Sequence, residues 1–259
     1  MASKSAKNKI IVFLVILVIA LALVAGLSWV WLLKSVEVLE EDRESRQWIL
    51  EAQDTLIIGE YGHNFAYDGN KVRAVEGKAI VNVNSETNTG SVVIELKNVK
   101  HQLSADEFIE GDIRIVMEEF EGEQPFKQGA IAENLYLHGD SGNGPPVMPK
   151  LFTFLAGWGK VDIYVDGEKK YEDLDAHIMY TEGARVNKKI MKADGTVYNP
   201  KLKSESGLTD SSKREFHIVA HSTDEDKDNF PPNSRWIHLN FQEVALKKAP
   251  VDAVLFVPS

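Results

Sequence analysis

The chain has 259 residues, a formal net charge of −10 and no cysteine. Without cysteine there is no disulfide framework, thiolate metal centre or cysteine nucleophile, and a net acidic chain is a poor partner for nucleic acid. At 26% charged and 44% hydrophobic residues the composition is that of a globular protein.

Lys4, Lys7 and Lys9 precede an uncharged apolar run from Ile10 to Leu33. As a helix this run would be about 36 Å long, enough to cross a bilayer. It is too long for the apolar region of a secretory signal peptide, the competing reading, so a retained anchor is expected. The lysines before it, and Glu37, Glu40, Glu41, Asp42 and Glu44 after it, orient the chain. The positive-inside rule keeps 1–9 as a cytoplasmic tail and sends the remainder to the periplasm or outside. Trp29 and Trp31 suit an interfacial belt. The run 34–54 is rich in helix formers and is expected to extend 10–33 as a stalk.

From Thr55 to the end, short β-branched runs replace helical periodicity, and 55–259 is expected to be one extracytoplasmic β domain. Expected strands are 56–60, 72–75, 78–84, 91–98, 112–120, 130–138, 160–166, 170–181, 214–222 and 235–246. Asp166-Gly167 is a hairpin signal because both residues tolerate positive φ, and Glu76-Gly77 is a weaker one. Many short strands without helices predict an antiparallel β-sandwich or jelly roll, with a barrel as the alternative. Long loops are expected over 139–150 and 182–213.

Successive side chains of a strand point to opposite faces. In the later strands one face is apolar: Val161, Ile163, Val165; Leu174, Ala176, Ile178; Phe216, Ile218, Ala220; Ile237, Leu239, Phe241. The other carries Asp162, Tyr164, Asp175, His177, Met179, Glu215, His217, His221, Trp236, His238, Asn240 and Gln242, with Tyr136 and His138 on an earlier strand. Five of the seven histidines therefore share the second face.

Three readings follow. A solvated outer face is the plain one, although it would carry more lysine. A copper or zinc site is the second, drawn from His138, His177, Met179, His217, His221 and His238. Imidazole suits both metals and a thioether favours copper(I). His217 and His221 lie about 13 Å apart on one strand, so a site must take residues from neighbouring strands. The third is a concave face for a glycan or small ligand, with Tyr136, Tyr164 and Trp236 stacking and Asn240 and Gln242 hydrogen-bonding. An aromatic, lysine-poor face also suits an accessory subunit packed into a membrane complex.

Asp224, Asp226 and Asp228 alternate as calcium-loop ligands do, but Asn229 replaces the usual glycine and Arg235 the closing glutamate. Gly139-Asp140-Ser141-Gly142 has no base assigned to Ser141 and reads as a turn. Binding rather than catalysis is the expected activity.

Overall fold

A computed structural model describes residues 46–121, 130–201 and 209–250, all within one compact unit, Arg46–Ser259. The expected tail over 1–9 and membrane helix over 10–33 lie outside the described residues.

Twelve strands make up the described residues. They are β1 (Gln47–Ile58), β2 (Val72–Val75), β3 (Gly77–Asn84), β4 (Thr89–Gln102), β5 (Phe108–Phe120), β6 (Ile131–Leu137), β7 (Leu151–Val165), β8 (Glu168–Gly183), β9 (Arg185–Val186), β10 (Lys189–Ile190), β11 (Asp210–His221) and β12 (Trp236–Lys248). All pairings are antiparallel, and the order runs β1-β3-β4-β5-β7-β8-β11-β12. β12 then pairs with β1 from Ile49↔Lys248 to Ile58↔His238, which closes the sheet into an eight-stranded barrel. Closure by these two strands replaces the expected two-sheet sandwich or jelly roll with the alternative architecture.

The expected helical stalk over 34–54 is corrected where it is described. Residues 47–54 are the first part of β1, and Trp48, Leu50 and Ala52 alternate inward with the two-residue period of a strand. Glu76-Gly77 is not a hairpin either, because β2 and β3 both pair with β1 along its length. Asp166-Gly167 does join β7 to β8, with φ of 52° and 85°.

An eight-stranded barrel is just wide enough for side chains to fill it. Trp48, Leu50, Ile94, Ile115, Ile163, Ile178, Phe216, Leu239 and Phe241 do so, all at most 1% exposed. This interior is the apolar face expected from the alternation in β7, β8, β11 and β12. Any sizeable ligand is thereby directed to the outer wall.

That wall is not bare over β7, β8, β11 and β12. Residues 59–71, 138–150 and 184–199 cover it and form a second apolar layer of Phe65, Val147, Met148, Ile190 and Tyr198 against Ala156, Met179, Val219 and Trp236. Arg185 fastens this cover: its guanidinium donates to the carbonyls of Phe65 at 2.6 Å and Lys188 at 2.8 Å.

Candidate functional site

Between the cover and the outer wall lies a cleft of about 600 Å³, in the size range of small-molecule sites. Register explains which side chains reach it. Trp158 of β7 lies opposite His177 of β8, His177 opposite Val219 of β11, and Val219 opposite His238 of β12. One row further along, Lys160 lies opposite Asp175, Asp175 opposite His221, and His221 opposite Trp236. His138, Val147 and Met148 enter from the 138–150 loop and Phe65 from the 59–71 loop.

Aromatic stacking orders these walls. Trp158 and His177 are stacked with centroids 4.6 Å apart and planes 24° apart, and His221 stacks on Trp236 at 5.4 Å and 12°. Phe65 packs against Trp236 at 5.7 Å and His238 at 5.4 Å. At the polar end of the lining the Lys160 ammonium is hydrogen-bonded to Asp175, with Glu121 4.0 Å away. The hydrogen bond to Asp175 holds the lysine above its ordinary range.

His138, His177 and His238 are uncharged at neutral pH. Burial pushes His138 down to about 4 and His177 to about 3, and drives His238 well below 6.5. Nδ1 of His177 and Nε1 of Trp236 are buried without a hydrogen-bond partner among the described residues. The backbone of Asn64 approaches His238 without completing a hydrogen bond at either ring nitrogen. Buried polar atoms are normally partnered, so these stand out.

His217 belongs to a different network. It is fully buried, its Nε2 lies 3.1 Å from Oε2 of Glu215, and its Nδ1 faces Nδ2 of Asn240 at 3.1 Å. Glu215 also accepts from Asn240 at 3.0 Å and from the main-chain N–H of Arg185 at 2.9 Å. Burial pulls the Glu215 carboxyl upward, but the hydrogen bonds from His217, Arg185 and Asn240 outweigh it and leave the group below its ordinary value. Both nitrogens of His217 are thus engaged.

Comparison with known proteins finds no matching family model, curated protein or solved structure.

Of the residues singled out by sequence, the cleft gathers His138, His177, Met179, His221, Trp236 and His238. Asn240 lies below it in the Glu215 network and receives a hydrogen bond from Gln242. Tyr136 packs edge-on against Phe152 at 5.3 Å, and Tyr164 sits between Arg114 and Lys169. Neither tyrosine lines the cleft, so the five expected ligand contacts do not come together. The plain reading of a solvated face is overturned for this wall, because His217, His238 and Asn240 are at most 1% exposed.

Among the described residues no three histidine or acidic groups are placed to share a metal ion. The carboxylates of the proposed calcium loop are used locally. Asp226 accepts from the Tyr61 hydroxyl at 2.7 Å and from the Asp228 N–H at 2.9 Å, while Asp224 lies 3.9 Å from Arg235. The Ser141 hydroxyl bonds within its own turn to Asn143, and its main-chain N–H donates to the His138 carbonyl at 3.0 Å.

Trp158, Met148 and Phe65 were missed. The apolar run Leu151–Trp158 is the signal for Trp158, because a strand buried on both faces reads as a continuous apolar stretch.

Proposed function

We propose that this protein is a membrane-anchored, extracytoplasmic binding protein whose cleft on the outer barrel wall takes a small, largely apolar ligand. Residues 10–33 supply the anchor in this reading, and lysines 4, 7 and 9 its orientation. The supporting observation is that His177 Nδ1 and Trp236 Nε1, both buried and unpartnered among the described residues, line one apolar cleft of about 600 Å³. An anionic ligand is disfavoured because burial keeps His138 and His177 neutral and the lysine already has a carboxylate partner. A flat heteroaromatic would extend the Trp158–His177 and His221–Trp236 stacks.

Thermal unfolding of the full chain in mild detergent, with indole as the probe, tests this reading. Binding to the folded state alone raises the melting temperature with probe concentration. Val219→Phe places a ring in the cleft and should abolish the rise. Equal stabilisation of both proteins would overturn the reading.

A further inference from the structure

We infer that the floor of this cleft is a copper(I) site formed by Nε2 of His138, Nδ1 of His177 and a thioether from Met148 or Met179. The inference rests on the cleft being a binding site and adds a metal ion at its floor to the organic ligand proposed above.

The first donor is set by a hydrogen bond. Nδ1 of His138 lies 2.8 Å from the carbonyl oxygen of Pro145. A carbonyl only accepts, so the imidazole proton sits on Nδ1 and the lone pair on Nε2. Metal-binding histidines are commonly oriented in this way, the second nitrogen donating to a backbone carbonyl. The backbone is adapted to it as well: His138 has φ of +59°, an uncommon conformation for a side-chain-bearing residue. Its main-chain N–H is held by the carbonyl of Asn143 at 2.8 Å. Loop and ring are thus fixed together.

The second donor is Nδ1 of His177, buried and without a completed hydrogen bond among the described residues, although the Gly157 backbone approaches the ring. The two rings meet edge to face, with centroids 6.3 Å apart and planes at 78°. Two imidazole nitrogens each about 2 Å from one ion, with about 1 Å from nitrogen to ring centre, put the centroids roughly 6 Å apart. The observed 6.3 Å fits the near-linear arrangement, and a third donor requires the rings to close by about 1 Å. Stacking on Trp158 fixes the orientation of His177.

The third donor is a sulfur. Met148 and Met179 both line the cleft and are at most 2% exposed. Nitrogen and thioether donors without a carboxylate select a soft ion. Zinc requires four ligands, usually with anionic donors among them, and no third histidine or acid joins this pair among the described residues. A single positive charge is also less costly to bury than a double one in an apolar site. Asp175, the nearest acid in the lining, is paired with Lys160.

The test loads the full chain in mild detergent with copper(I) under anaerobic reducing conditions against the chelator bicinchoninate. Retained copper is then measured by elemental analysis. Wild type should retain one copper per chain and no zinc under matching conditions. His177→Leu and His138→Leu should weaken retention by more than the roughly 10–100-fold that loss of an outer-shell partner costs. Met148→Leu and Met179→Leu identify the sulfur. His63→Gln, on an exposed residue, controls for adventitious imidazole binding and should match wild type.

X-ray absorption on loaded wild type keeps the inference testable if a histidine variant misfolds, and two imidazole nitrogens with one sulfur are expected. Failure of folded wild type to hold copper against the chelator would overturn the inference, as would a copper environment without sulfur. If indole still binds, the copper assignment alone has failed; if neither binds, the cleft is not a ligand site.

Discussion

The main-chain N–H of Arg185 lies 2.9 Å from Oε1 of Glu215, and both residues are only 1% exposed. Glu215 belongs to the barrel wall and Arg185 to the segment that covers it, so this contact joins the two layers. The guanidinium continues outward to the carbonyls of Phe65 and Lys188. Burial lowers the arginine to about 10, and the Glu215 charge acts in the opposite sense. It remains protonated at neutral pH.

Arg185→Met leaves those carbonyls without their donor and removes a buried charge that interacts with Glu215, while the main-chain hydrogen bond remains. Breaking a buried charged network from one side costs about 3–5 kcal/mol. Urea unfolding should report a loss of that order for Arg185→Met and a loss in the same direction for Glu215→Gln. The double variant should lose less than the sum of the two, because the groups share one network. Strict additivity would show that the layers are not coupled through this pair.

Acid should destabilise the metal-free protein through its buried histidines. Burial lowers His101 to about 4 and takes His238 well below 6.5 in the folded state, whereas the unfolded chain protonates both near 6.5. The unfolded state then binds more protons below pH 6.5. Stability is complete above that value and falls as the pH drops towards about 4. Each such histidine contributes on the order of 1 kcal/mol per pH unit within the window. Glu215, held below its ordinary value, adds a loss in the same direction at lower pH. Urea midpoints measured from pH 7 to pH 4.5 should fall, and His101→Gln should flatten the profile.

Gly159→Ala should damage the β5–β7 seam. A Cβ at this position would lie 1.8 Å from the carbonyl oxygen of Glu119, beside the register shift between Val116 and Glu119. The obstruction is backbone, so no side-chain rotation relieves it. A loss of at least about 2 kcal/mol is expected from overpacking of this kind. A wild-type urea midpoint for Gly159→Ala would mean that the two strands separate more easily than their spacing implies.

Phe65→Ala removes the ring that the cover places against Trp236 and His238. Such truncations cost about 3–5 kcal/mol in well-packed cores. Hydrogen exchange should locate the effect in 59–71 and leave the amides of β4 and β5 protected. Uniform loosening of the barrel would refute a separable outer layer.

Much of the barrel was legible because a strand has a two-residue period. Ile163, Ile178, Phe216 and Leu239 were assigned to the core side by alternation, and they point into the barrel. Closure was not legible, because it depends on Leu50 meeting Leu246 across nearly the whole domain. β1 itself was obscured by the helix-favouring Glu and Gln beside Trp48 and Leu50. The histidine-bearing face was visible as a pattern, but its burial was not. Its cover scatters its apolar residues over three separate segments tied together by Arg185, which leaves no hydrophobic period to read. Convergence in the cleft was hidden for the same reason: His138 reaches it from a turn rather than from a strand.

The pairing of β12 with β1 has a consequence for how this chain is made. Among the described strands β1 is synthesised first and its partner last, so its edge stays unsatisfied until residues 236–248 have emerged. Until then an open sheet with two free edges is available to other chains, and long-range pairing of this kind forms slowly. His238 and Trp236 belong to that same last strand. The cleft and the closed barrel are thus completed in one event, and an unfinished chain can have neither.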